Sequence, residues 1–252
     1  MDATSTKRIP RIGTAQRGGT REHCCDGLFV YRYEPDEATA ACVTDGPGSS
    51  ATIGHTARVL AEVAARVSAR RTVFSGLCAA GELIAWPPAD DDSDAVAVVA
   101  VMRDEGTSMA WVGDCAGWSF DGSTLTKVTT DQTMAAWLAA RGSEHTGRQI
   151  SADLMSFGNA FMRASLGSAS AATVGQVEVD AGLTVILTSD GIHDALGRDV
   201  MAEIVRANAD DPQAMADALV AAPNSDDDCN NENENEYRDD RTVVVLAPAL
   251  GK

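Results

Sequence analysis

The sequence predicts an α+β fold in which one antiparallel sheet packs on another and helices flank the pair. Two observations predict it. Short β-branched and apolar runs follow one another in pairs joined by tight turns, as in hairpins. Stretches with helical periodicity are grouped, and do not alternate one by one with strands as βαβ units would. At 252 residues the chain is long enough for one large domain with a full core. A loose tail is expected over residues 1–11 and a single domain over residues 12–248.

Taken in order, residues 12–16 form a first strand, followed by the flexible Arg17-Gly18-Gly19. Residues 27–33 and 38–44 are a strand pair turning at Pro35-Asp36. Ser49 or Ser50 caps the helix that follows, and its Ile53, Ala57, Leu60, Ala64 and Val67 fall on one face. A weaker helix runs over 73–86 and stops at Pro87-Pro88, with an acidic loop over 89–94. Residues 95–102 and 108–115 make a hairpin through Asp104-Glu105-Gly106, and 118–128 another, with Asp121-Gly122 as a two-residue turn. A short helix over 134–141 leads into a polar, poorly periodic segment, 142–158, expected to be mobile. Strands over 174–179 and 183–188, helices over 201–208 and 212–222, and a last strand over 242–246 complete the chain. Between the last helix and strand, 224–236 is a low-complexity run of Asn, Asp and Glu, the composition of a disordered surface loop.

The formal net charge is -17, from 37 acidic and 20 basic residues. Phosphate backbones are bound by basic faces, so nucleic acid is not the expected partner. No apolar run is long enough to span a bilayer and no signal peptide opens the chain. The six cysteines include no CxxC pair, and several sit in apolar runs; they read as reduced thiols of a cytoplasmic protein.

One pattern recurs. Residues 183–188 are an apolar run that stops at Asp190-Gly191. The run at 41–44 ends in Asp45-Gly46, that at 109–112 in Gly113-Asp114, and Asp239-Asp240 stand just before the last strand. In an antiparallel sheet the end of one strand lies beside the start of the next. These carboxylates can therefore share one edge and form a hard, oxygen-lined cation site.

Other chemistries lack their residues. A cysteine phosphatase needs Cys, five residues, then Arg; the positions six beyond the cysteines are Val30, Tyr31, Gly48, Ile84, Asp121 and Asn235. His23, His55, His145 and His193 supply no HExxH pair, and neither a GxSxG elbow nor a Walker loop is present. Asp45, Asp190 and Asp239 instead suit two divalent cations about 3.5–4 Å apart, which lower the pKa of a bridging water. Arg21 either grips a phosphoryl group bidentately or is a surface arginine.

Asp45-Gly46-Pro47-Gly48, Val112-Gly113-Asp114-Cys115, Thr188-Ser189-Asp190-Gly191-Ile192-His193-Asp194 and Asp239-Asp240-Arg241-Thr242 occur in that order with fitting gaps. Thr130-Asp131-Gln132-Thr133 and the stretch from Asn159 through Arg163 to Leu166-Gly167 add to the series. The set resembles the motifs of the metal-dependent serine/threonine protein phosphatases, the type 2C or PPM family, over about residues 12–246. The resemblance implies a four-layer α-β-β-α sandwich and a phosphoprotein phosphatase of bacterial type. It implies magnesium or manganese, two ions with a possible third, and a monomer acting on the phosphoprotein product of a Ser/Thr kinase. Asp45 would bridge the metals with the Gly46 carbonyl, Asp190 and Asp239 as further ligands; Asp114 and Asp194 match a third metal site, and Arg21 the phosphate-binding arginine. Asp26, Cys25 and Asp240 would stand just behind the ligands, and residues 139–161 match the flap beside the site.

The chain departs from the family at four places, one of them the glycine-threonine pair missing around Ser93-Asp94 before the central hairpin. Cys24-Cys25-Asp26 stands where an Asn-Glu-Asp-like segment is usual, so a carboxylate near one metal becomes the Cys25 thiol. Pro47 replaces the histidine of Asp-Gly-His-Gly and cannot donate a proton, and Cys115 replaces a serine. Two readings follow: an active phosphatase, or a catalytically impaired pseudophosphatase serving as a regulatory or interaction module.

Overall fold

A computed structural model describes residues 9–84, 94–145, 158, 161–222 and 237–249. The expected acidic loop before residue 94, most of the segment at 146–160 and the run at 224–236 lie outside the described residues.

Two antiparallel sheets form the centre. The first carries β2 (Asp26–Tyr33), β3 (Ala38–Asp45), β4 (Val96–Arg103), β5 (Gly106–Val112) and β8 (Gly175–Asp180), side by side in that order. The second is ordered β1 (Arg11–Arg17), β10 (Arg241–Ala247), β9 (Thr184–Thr188), β6 (Ala116–Phe120) and β7 (Leu125–Lys127). Helices α1 (Ala51–Arg70) and α2 (Val73–Gly81) cover the outer face of the first sheet. Helices α4 (Asp190–Ala207) and α5 (Pro212–Ala221) cover that of the second; α3 (Met134–His145) joins β7 to the segment leading to β8. The result is the expected α-β-β-α sandwich, with an apolar layer between each neighbouring pair.

Period-two alternation builds the middle layer. On β3, Ala41 and Val43 face the other sheet while Ala40 and Cys42 face α1. On β10, Val244 and Leu246 face inward while Val243 and Val245 face α4 and α5. Both faces are covered, so these strands read as unbroken apolar runs. The outer layers use helical spacing: Leu60, Ala61, Ala64 and Ala65 of α1 are fully buried. Small alanines let α1 approach β2 and β3 closely.

Several boundaries differ from expectation for local reasons. Arg11 opens β1 and donates to the Asp210 carbonyl at 2.6 Å, so the tail ends earlier. The β6–β7 connection is a four-residue loop, since Phe120 pairs with Leu125. Asp121 holds it by accepting from the Ser123 and Thr124 amides at 2.8 and 2.7 Å, an Asx turn in place of the expected two-residue one. Helix α2 stops at Gly81, before the prolines, where a Cβ would lie 2.3 Å from the Leu166 carbonyl oxygen. Helix α4 begins eleven residues earlier than the expected 201–208, at Asp190, and kinks at Gly197, φ 70°.

Leu187 lies fully buried between the sheets. Leu187→Ala is expected to lower the unfolding free energy by about 3 kcal/mol, through lost burial and the cavity left behind, as read from urea denaturation. A change under about 0.5 kcal/mol would contradict this packing.

Candidate active site

Strand register brings the acidic residues to one end of the sandwich. Asp26 at the start of β2 pairs with Asp45 at the end of β3, and Asp45 with Val96 at the start of β4. Beside them β5 ends at Val112, whose partner is Ala97, and delivers Gly113-Asp114. In the second sheet Thr188, the last residue of β9, pairs with both Ala116 and Val243, so Asp190 emerges next to Asp239 and Asp240. The sheets are stitched there by Ser189, whose hydroxyl donates to Asp26 Oδ2 at 2.7 Å and accepts from the Thr242 amide at 3.0 Å.

A cleft of 580 Å³ opens at this end. Arg21, Asp45, Gly46, Asp114, Asp190 and Asp239 all line it. Asp194, one turn into α4, lines an adjoining pocket with Asp190, Asp239 and Tyr237. Asp26 and Asp240 are buried behind the lining residues. Asp240 anchors the backbone around them, accepting from the Gly19 and Cys25 amides at 2.8 Å each. Gly191 lets α4 start against this strand: a Cβ there would meet the Asp240 carbonyl oxygen at 2.1 Å.

Cys25 is fully buried, and its thiol faces the His23 and Ser50 carbonyls at 3.6 and 3.8 Å. It does not line the cleft; its contribution is main-chain, through the Asp240 contact and a carbonyl accepting from the Gly46 amide at 3.1 Å. Arg21 spans the mouth. Its Nη1 donates to the Gly48 carbonyl at 2.6 Å, and its Nη2 pairs with Asp239 and stands 3.8 Å from Asp240. The guanidinium lies 5.8 Å from the Tyr237 ring centroid, and its Nε is buried without a hydrogen-bond partner.

Sequence reasoning missed the opposite wall. Asp94 accepts from the Ser165 hydroxyl at 2.6 Å and the Gly167 amide at 3.0 Å, and Asp94, Ser165 and Met162 line the cleft. No strand-end pattern marks them. His193 was noticed only as part of a motif. Its Nδ1 lies 3.0 Å from the Thr188 hydroxyl, which also accepts from Trp118 Nε1 at 3.2 Å. Burial pushes this imidazole down to about 3, so it is neutral.

The electrostatics favour a cation. Burial, then the charges of Asp26 and Asp190, holds the Asp45 carboxyl well above the usual range. Burial, then Asp190, raises Asp114 to about 7 and Asp194 to about 6. Burial likewise lifts Asp26 to about 6, against hydrogen bonds from Thr242 and Ser189 that pull it down. Asp190 Oδ1 and Asp26 Oδ1 are buried with no hydrogen-bond partner. Among the described residues no three His, Cys, Asp or Glu side chains yet converge on one point, and Asp239 directs an oxygen to Arg21 instead. The all-oxygen donor set and the orphaned carboxylate oxygens fit a hard divalent ion.

No protein-family model and no curated protein matches the sequence. Solved structures do match. One titled a bacterial serine phosphatase superposes with a TM-score of 0.75 at 13% identity, covering 96% of this chain and 99% of that one. The catalytic domain of the serine/threonine phosphatase PstP, in complex with 2 manganese ions, gives 0.67 at 17% identity, over 96% and 100%. Stp1 from Staphylococcus aureus, also a serine/threonine phosphatase, gives 0.71 at 11% identity, over 95% of each chain. The fold is that of the bacterial serine/threonine phosphatases. The likeness spans nearly the full length of each chain.

The raised carboxyls carry a pH signature. A carboxyl whose pKa rises on folding from 3.8 to about 6 or 7 keeps a proton that the unfolded chain has lost. Its stabilising contribution is complete below the unfolded value and is lost as pH rises through 6 and 7. Chelator-treated protein should therefore melt at a lower temperature at about pH 8 than at about pH 5, and excess Mn2+ should close the gap. A melting temperature that rises over that interval in chelator would contradict the assignment.

Proposed function

We propose that this chain is a metal-dependent phosphoprotein phosphatase acting on phosphoserine and phosphothreonine. The observation that carries the reading is the cleft itself, where carboxylates from both sheets meet one arginine at its mouth. Asp45, Asp190 and Asp239, with the Gly46 carbonyl, would hold two divalent cations, and Asp114 and Asp194 a third. When bound, such ions supply Lewis acidity toward phosphoryl oxygens and an activated water.

The chain's own residues have separate tasks on this reading. Arg21 offers a planar guanidinium at the mouth, suited to two oxygens of a phosphoryl group. A cation at Asp239 would offset the charge that now pairs with Arg21, leaving the guanidinium for the substrate. Asp26 and Asp240, buried behind the ligands, orient the backbone that presents them. Pro47 lines the cleft and carries no dissociable proton, so the leaving alkoxide takes its proton from water. The substrate is the phosphoprotein left by a Ser/Thr kinase, and the fold of the three phosphatases above supports that class.

Purified protein should hydrolyse a phosphoserine or phosphothreonine peptide with Mn2+ or Mg2+ and stop in excess chelator. Asp190→Asn should lower kcat at least about 100-fold, the scale of removing one electrostatic stabiliser. Full turnover in chelator would sink the metal-dependent mechanism; metal-bound, folded protein without turnover on any phosphoester would support the pseudophosphatase. Arg21→Ala should weaken inorganic phosphate binding by about tenfold while leaving Mn2+ affinity no weaker, because the guanidinium touches Asp239 as a competitor of the ion. Loss of Mn2+ affinity in calorimetry, with phosphate binding intact, would reverse that role.

A further inference from the structure

Gln132 lies on the β7–α3 connection and uses every polar group it has. Its side-chain Oε1 accepts from the Gly113 amide at 2.9 Å, and its own amide donates to the Gly113 carbonyl at 2.9 Å. Its Nε2 donates to the Thr173 carbonyl at 2.7 Å, just ahead of β8. Its carbonyl accepts from the Arg163 amide at 2.8 Å. The contacts reach three separate segments: the corner after β5, the turn before β8, and residues 161–163, whose Met162 lines the cleft.

The corner it grips is tightly constrained. Gly113 has φ 91°, a left-handed conformation, and a Cβ there would meet Val96 Cγ1 at 2.1 Å. Asp114 follows at once and is 9% exposed, so the direction of its carboxylate is set by how this corner sits on β4. The corner lies outside the β5 ladder, which ends at Val112. Both main-chain polar groups of Gly113 are taken by Gln132. The neighbouring Trp111 adds a second tie, its Nε1 donating to the Thr130 carbonyl at 2.8 Å.

We propose that Gln132 is a positioning residue that fixes Asp114 and couples it to the cleft wall at Met162. The side chain must both donate and accept. Only a neutral carboxamide of this length bridges a main-chain N–H on one side and a main-chain carbonyl on the other. Glutamate would keep the Gly113 contact but set a carboxylate against the Thr173 carbonyl; methionine keeps the shape and loses both bonds. Partners behind a metal ligand are commonly worth about 10–100-fold in metal affinity, and this proposal rests on the reading of Asp114 as a cation ligand.

The test is Mn2+ binding to full-length protein, followed by calorimetry and by the free-ion paramagnetic resonance signal, for wild type, Gln132→Met, Gln132→Glu, Asp114→Asn and the Gln132→Met/Asp114→Asn double variant. The ion lost or weakened in Asp114→Asn defines the Asp114-dependent site. Gln132→Met should weaken that ion by about tenfold and leave the others within about twofold. In the Asp114→Asn background it should cost nothing further, because coupled residues are non-additive. Unfolding curves in urea separate this from a purely structural role, which would lower stability and leave the Mn2+ isotherm of the folded protein unchanged. An unchanged isotherm in Gln132→Met, or an equal loss in both backgrounds, overturns the proposal. Should Asp114→Asn itself lose no ion, the metal reading of Asp114 fails first, and the role of Gln132 with it.

Discussion

Mutual repulsion among buried carboxylates is the constraint on which this molecule turns. Asp26, Asp45, Asp114 and Asp190 are drawn together by strand register; burial first, and then the charge of Asp190, raises the cost of ionising Asp26, Asp45 and Asp114, and Asp26 and Asp114 add to the cost at Asp45. Two sheets could pack with apolar residues at this end and be more stable. Instead the hydrogen bonds of Ser189 and Asp240 hold the strand ends in place around an assembly of like charges. A cluster of this kind persists only where the surrounding core over-determines it. Here the interior strands of both sheets are apolar on both faces, and three packed layers lock their ends.

That arrangement builds the candidate site from the ends of the fold's own elements. Each acidic side chain sits on or next to the terminus of a rigid element: Asp45 on β3, Asp190 at the head of α4, Asp239 before β10. Rigid supports keep ligands near the geometry a small hard cation demands. Arg21 lies on the less regular β1–β2 connection, held by Gly48 and Asp239. The opposite wall is Asp94, Ser165 and Met162, where the Asp94 carboxylate accepts from the Ser165 hydroxyl and the Gly167 amide.

The strand-end carboxylates were legible in the sequence because the apolar runs before them are long and the order of motifs is fixed. Pairing of those ends needed only the antiparallel rule. What escaped was polar structure without periodicity. The first half of α4 hides because Gly191, His193, Asp194 and Gly197 carry no apolar stripe, and its start is set by packing on Asp240. The β6–β7 loop was misjudged because Asp121 bonds to its own following amides, which the dipeptide Asp121-Gly122 does not reveal. The resemblance sets Cys25 in the place of a carboxylate, yet its side chain turns toward His23 and Ser50, an orientation that no spacing rule conveys. Gln132 and Asp94 act through the main chain of distant segments, and such contacts leave no local signal.

The central claim is that these converging strand ends form a centre for hard divalent ions. Anomalous scattering from crystals grown with Mn2+ tests it most directly. The account predicts peaks in the cleft in contact with Asp45, Asp190 and Asp239, with Arg21 released from Asp239. Mn2+ absent from the cleft, or found only at surface carboxylates elsewhere, would contradict it.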